Sequence, residues 1–191
     1  ELGRHRLHGD AKARVHRLLL GDDLLVRCRD HAVVARRGSE AHREGLLGAV
    51  THGLDGDLVA RLLGADDALQ SFTEALAIQR QIFDPVHPAI ATTLSNSASA
   101  LRAMKRIPEA IRLNEEALAI RMQVYPGEHP EVVLSLNNLA RCLLDAGSVE
   151  EARMHSERSN EMAEQCLDEG HPWRQACANT LAEIRKRARQ E

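Results

Sequence analysis

The dipeptide His-Pro occurs three times, at His87-Pro88, His129-Pro130 and His171-Pro172, and both intervals are 42 residues. A fixed period of that size marks a repeat architecture, in which each unit buries its apolar face only by stacking on its neighbours. Written without gaps, the units are 65–106, 107–148 and 149–190, and the EALAI of 74–78 returns at 116–120. The third unit keeps the frame but carries fewer apolar residues.

Within the frame, each unit reads as two helices and a turn. Pro130 suits a first helical position, where its fixed φ is helical and its missing N–H is no loss. Glu128 and Glu131 place negative charge at the positive end of that helix. Val132, Val133, Leu136, Leu139, Ala140, Leu143 and Leu144 then form a one-sided apolar stripe. Gly147 ends it. Ser148 with Glu151 three residues on has the pattern of a capping box for the next helix, which runs to about Leu167 before Gly170. The same reading predicts helices at about 66–83, 88–105, 107–124 and 172–189, separated by Asp84-Pro85, Pro126-Gly127 and Glu169-Gly170. Small residues recur where helices should meet, at Ala68, Ala110 and Ala152 and at Ala98, Ala140 and Ala182. Enlarging one of them should overpack the contact at a cost of about 1–3 kcal/mol. With aromatic residues at only 2%, the core has to be built from Leu, Ile, Val and Ala.

Residues 1–64 differ in kind. They contain no Ile, Phe, Tyr, Trp, Met, Asn, Gln or Pro, and hold six of the ten histidines. Apart from Lys12, Cys28, Ser39 and Thr51, every residue is of a type encodable by a codon starting with G or C. A GC-rich gene read out of frame gives that bias, so the expectation is that much of 1–64 is not natural coding sequence. The other reading is a genuine helical region, since Ala11–Leu20 and Asp57–Leu63 have helical apolar spacing. Among the histidines only His5 and His8 are three apart, and the sequence places no third ligand beside them, so no metal site is expected.

Composition narrows the function classes. A net charge of −3 gives no global pull toward nucleic acid or an anionic membrane. The longest uncharged stretch, 85–101, is too polar to span a bilayer. The opening ELGRHRLHGD has no apolar signal region and no initiator Met, which leads us to expect a fragment of something longer. Cys28, Cys142, Cys166 and Cys177 form no C-x-x-C pair and read as reduced thiols of a cytoplasmic protein. There is no phosphate-binding glycine motif and no nucleophile–base spacing, so neither catalytic residues nor a cofactor are expected. The basic run Arg185, Lys186, Arg187, Arg189 lacks interleaved aromatics and reads as a solvated terminal helix, not a nucleic-acid site.

The segments HPEVVLSLNNLARCLLDAGSVEEA (129–152) and EEALAIRMQVYPGEHP (115–130) resemble the tetratricopeptide repeat, in the 42-residue variety of kinesin light chains and of many bacterial and fungal signalling proteins. The resemblance covers 65–190 and implies an all-α, right-handed superhelical solenoid of antiparallel helix pairs. Ser156 and Ser159 depart from the family pattern, where Phe72 and Ala75 in the first unit fit it; with the charged tail, this fits a terminal cap that meets water. The helix near Asp66 is a second helix lacking its first, so residues 46–63, an upstream repeat or a partner in a homo-oligomer would cover its apolar face.

In this family the first helix of each pair lines a concave groove that holds peptides. Carried over by position, the groove-facing residues are Thr92, Ser95, Asn96, Ser99 and Arg102, then Leu134, Asn137, Asn138, Arg141 and Asp145, then Ala176, Asn179, Glu183 and Lys186. Asn96 and Asn138 fall where the family often uses an Asn to hydrogen-bond a peptide backbone, a task suited to a group that both donates and accepts. The alternative for both is a bond to a neighbouring helix. Arg102 and Arg141 would meet an acidic partner or remain solvated. The resemblance thus implies a non-catalytic scaffold that binds a protein or peptide, with no nucleic acid and no membrane. A second reading is the C-terminal regulatory or sensor segment of a larger signalling kinase or NTPase.

Overall fold

The structure, a computed structural model, describes the backbone of residues 16–20, 23–28 and 31–36 and all of residues 64–190. The chain divides into two compact units, 1–49 and 50–191.

In the first unit, β1 (His16–Leu20), β2 (Asp23–Cys28) and β3 (His31–Arg36) form an antiparallel meander in the order β1-β2-β3. Leu18 pairs with Leu25, and Leu25 with Val34. This corrects the helical reading of Ala11–Leu20, whose last five residues are strand. A short apolar run does not distinguish the two periods, and two-residue spacers between such runs favour hairpins. The other candidate helix, Asp57–Leu63, lies outside the described residues.

The second unit has six helices and no strand among its described residues. They are α1 (Ala65–Ile82), α2 (Pro88–Ala103), α3 (Ile107–Val124), α4 (Pro130–Asp145), α5 (Val149–Cys166) and α6 (Pro172–Ala188). Each packs on the next. In addition α2 approaches α4 and α4 approaches α6, whereas the backbones of α1, α3 and α5 stay apart, α1 and α3 meeting through the exposed Arg80–Glu116 pair at 2.8 Å. A layer in contact on one side and splayed on the other has to curve, so α2, α4 and α6 form the inner face of an all-α solenoid.

The His-Pro repeat supplies the start of each inner helix. His87, His129 and His171 are the N-caps, and their Nδ1 atoms accept from the backbone N–H of Ala89, Glu131 and Trp173 at 3.1, 3.2 and 3.2 Å. Each cap satisfies a donor that the helix leaves orphaned, and the following proline needs none. The His87 ring stacks on Phe83 at 4.0 Å and the His129 ring on Tyr125 at 3.8 Å, whereas His171 meets Trp173 edge-on at 5.4 Å. Gly147 ends α4 in the left-handed region at φ 84°, with Ser148 N–H donating to the Leu143 carbonyl at 2.9 Å. Lys105 takes the same conformation after α2, at φ 62°. Ser148 stands at the N-cap of α5, but its side chain makes no cap bond, so the expected capping box does not form. The turn already holds the Ser148 backbone by its N–H, and its ψ of 66° departs from an extended cap.

Ala68, Ala110, Ala152, Ala98 and Ala140 are fully buried, as close helix contacts require. Ala182, the last of the series, is exposed because no helix follows α6 among the described residues. At the other end Ala68, Phe72 and Ala75 are buried, while Ile78 and Ile82 near the end of α1 are 47% and 65% exposed.

One pair of core positions changes chemistry from unit to unit. Asn114 Nδ2 donates to Cys142 Sγ at 3.3 Å. The positions 42 residues before and after hold Phe72 with Ala100 and Ser156 with Ile184, and all four of those residues are fully buried. A large residue is matched with a small one, then two middling ones, then a small with a large. Bulk thus passes from the outer to the inner helix along the array, and each inner residue suits the outer residue of its own unit.

Candidate functional site

The inner face is built by α2, α4 and α6, and the sequence-predicted residues divide into those inside it and those on it. Ser95, Asn96 and Asn137 are buried, at 4%, 7% and 5% exposure. Thr92, Ser99, Arg102, Asn138 and Arg141 are half-buried, and Asn179 is exposed. The buried three lie inside because α2 and α4 each have a helix on either side.

Ser95 and Thr92 are committed to a residue that sequence reasoning missed. Arg121, on α3, is 2% exposed. Its guanidinium donates to Ser135 Oγ at 2.7 Å, Ser95 Oγ at 3.2 Å and Thr92 Oγ1 at 3.4 Å, and pairs with Glu131 Oε2 at 2.8 Å. Thr92 and Ser95 belong to α2, and Glu131 and Ser135 to α4, so one side chain ties two inner helices through the outer helix between them. Burial pushes the guanidinium below its usual pKa, and the Glu131 carboxylate opposes that shift. The signal was present: Asn114, Ala117 and Arg121 share one buried helical stripe, so the arginine stands where a core residue is due.

Across the face, Arg102 Nη1 meets Asp145 Oδ2 at 3.1 Å, linking the ends of α2 and α4. Arg102, read as a contact for an acidic partner, is therefore already engaged. Arg187 continues the pattern by donating to the Leu144 carbonyl at 3.3 Å. On α6, Asn179 Oδ1 accepts from Gln175 Nε2 at 2.9 Å. Asn138 makes no hydrogen bond among the described residues, and Leu134 and Arg141 stand four before and three after it on the same helix face. A polar amide beside an aliphatic side chain and a guanidinium can bond a peptide main chain while its neighbours read side chains.

Among the described residues, no three His, Cys, Asp or Glu side chains converge as a metal site, and no helix is long and apolar enough to cross a membrane. Cys142 and Cys177 are buried and Cys166 half-buried, all as free thiols. Burial raises the Cys142 thiol to about 11, so it is a core residue and not a nucleophile.

Comparison with known proteins agrees with this geometry. No curated protein matches the chain. Among solved structures, a putative kinesin light chain with nearly identical tetratricopeptide-like repeats from Podosopora anserina is similar at 23% identity and a TM-score of 0.59, covering 82% of this chain and 72% of that one. BtubC (BKLC) from P. vanneervenii is 18% identical, with a TM-score of 0.57 over 78% of this chain and 66% of that one. The tetratricopeptide repeat domain of Arabidopsis FLU is 19% identical, with a TM-score of 0.52 over 64% of this chain and 98% of that one. At these identities the likeness establishes the fold, a kinesin-light-chain-like helical solenoid. The tetratricopeptide repeat family model matches residues 56–123 and 90–165, more than half of the chain. With three 42-residue units, helix pairs in series and a curved inner layer, the chain belongs to the tetratricopeptide repeat family.

Proposed function

We propose that this chain is a scaffold that captures an extended peptide, or a peptide-like segment of a partner domain, on the inner face formed by α2, α4 and α6. Tetratricopeptide repeats are in general non-catalytic scaffolds for protein–protein interaction, and the reading here is the finer one. The observation that carries it is Asn138: a half-buried amide on the curved face with no hydrogen bond of its own among the described residues, beside Leu134 and Arg141. A peptide main chain laid across α4 would satisfy it, and each such bond counts for more on a partly desolvated face. Arg141 and the Arg102–Asp145 pair give the face its charge pattern and hence its selectivity. The free thiols of Cys142, Cys166 and Cys177 suit a reducing, cytoplasmic setting.

Selection of a random peptide library on the 191-residue chain, followed by fluorescence anisotropy on the selected peptide, tests the reading. Asn138→Ala should weaken binding by about tenfold with an unchanged thermal melt. Failure to select any peptide, or a selected peptide indifferent to Asn138→Ala, overturns it.

A further inference from the structure

The C-terminal end of the solenoid carries a second surface, between α5 and α6, to which Lys186, assigned by position to the groove, also belongs. A cavity of about 600 Å³ opens between α5 and α6, with Ala178, Leu181 and Ala182 as its floor, Asn160 and Glu164 on the α5 side and Arg185, Lys186 and Arg189 on the α6 side. The 42-residue frame shows what such a slot holds elsewhere. Leu94, Leu101, Leu136 and Leu143, the counterparts of Ala178 and Arg185 on α2 and α4, are buried. In the second unit, Leu136, Ala140 and Leu143 pack in one cluster with Val149 and Ala152 of the following outer helix, α5. The slot beside α6 is therefore shaped for a helix.

Its chemistry is not that of another repeat. Where α2 and α4 present leucines, α6 presents Ala178, which deepens the floor, and Arg185, which makes the wall cationic. Arg185 reaches Glu157 only at 3.6 Å, with both side chains well exposed, so that pair is worth little. Lys186 and Arg189 have no ion-pair partner among the described residues. A next repeat would place apolar side chains against these charges and bury them unpaired.

We propose that this slot docks an acidic amphipathic helix of a partner protein, its small apolar stripe on Ala178, Leu181 and Ala182 and its carboxylates against Arg185, Lys186 and Arg189. Three cations face the single carboxylate Glu164 in the slot, which sets the sign of the complement. The apolar floor and the lack of any aromatic side chain in the lining favour a helix over a nucleic-acid strand, which would need a stacking platform.

The test is fluorescence anisotropy of the full 191-residue chain with a labelled helical peptide bearing an Ala/Leu stripe flanked by glutamates. Binding should weaken severalfold between about 25 and 200 mM salt, because the pairs lie at a solvated rim. The double variant R185E/R189E should bind about tenfold more weakly. Both side chains are exposed, so its circular dichroism melt should match that of the parent. The exposed Arg112→Glu on α3 serves as the charge control and should leave affinity unchanged. The proposal falls if the glutamate peptide does not bind, if R185E/R189E binds as well as the parent, or if R112E costs as much. It also falls if a lysine-bearing version of the peptide binds equally, or if a single-stranded oligonucleotide binds more tightly with the same dependence on Arg185 and Arg189. Asn138→Ala should leave this binding intact, which separates the slot from the curved face.

Discussion

The junction centred on Arg121 and the one 42 residues later occupy the same place in the frame and are filled in opposite ways. In the first, a buried guanidinium joins Thr92 and Ser95 of α2 to Glu131 and Ser135 of α4. In the second, the counterpart of Arg121 is Ala163, packed with Val133 and Cys177, and the counterparts of Glu131 and Ser135 are Trp173 and Cys177. Ser159 fills part of the polar role, donating to the Val133 carbonyl at 3.0 Å and lying 3.2 Å from Cys177 Sγ. Asn137, the counterpart of Ser95, keeps its Oδ1 without a hydrogen-bond partner. The two junctions show that caps, turns and alanine contacts hold the register, while the filling between inner helices is free to be ionic or apolar. They also show the cost of a partial change: removing the arginine without removing the polar group opposite leaves an orphaned acceptor.

The largest expected effect comes from breaking the ionic junction. Arg121→Ala should destabilise the chain by about 3 kcal/mol, since it strands three hydroxyls and a carboxylate and opens a cavity. Arg121→Met, which fills the same space without charge, should cost much less. Urea unfolding of the two variants checks the difference, and equal losses would mean that volume alone matters at this position. Next, Asn137→Leu should make the second junction consistently apolar and raise stability by about 1 kcal/mol, read as a higher urea midpoint at unchanged slope. A loss would show that the Asn137 amide is satisfied by solvent. The smallest effect separates the caps of the two helices that close these junctions. His129→Ala and His171→Ala should each cost about 1 kcal/mol for the lost N-cap. The first should cost about 0.5 kcal/mol more, because the His129 ring lies face to face on Tyr125 at 3.8 Å, whereas His171 offers Trp173 only an edge at 5.4 Å. Equal shifts in melting temperature would remove the stack from the account.

Much of the solenoid was legible before any coordinates. The His-Pro spacing located the three inner helices, and Pro130 and Gly147 marked the ends of α4 because proline fixes a helical φ and glycine takes a positive φ without strain. The alanine series predicted buried helix contacts at Ala68, Ala98, Ala110, Ala140 and Ala152, and failed at Ala182, which is exposed. Arg121 was not legible as a clamp, because an arginine on an amphipathic helix is usually solvent-facing and the hydroxyls it holds lie 14 to 29 residues away in sequence. Ser95, Asn96 and Asn137 looked surface-bound because a polar side chain between packed helices carries no local mark of burial. At Lys105 the chain uses a non-glycine residue where Gly147 serves in the next unit, so composition gave no warning of the left-handed turn. In 16–36, short leucine and valine runs suited either period, and pairing between neighbouring segments decided for strand.

The shift of bulk from outer to inner helix, from Phe72 with Ala100 through Asn114 with Cys142 to Ser156 with Ile184, bears on how such an array can be cut and rejoined. Each complementary pair lies within one outer-then-inner unit, on the two sides of the loops at 83–87, 125–129 and 167–171. Recombination at the turns near 104–106 and 146–148 would carry each pair across intact. Exchange at the His-Pro loops would set Phe72 against Cys142 or Asn114 against Ile184 and overfill the core. The heritable module of this chain is thus the outer helix with the inner helix that follows it, and a graft or duplication respecting that boundary is the one that should fold.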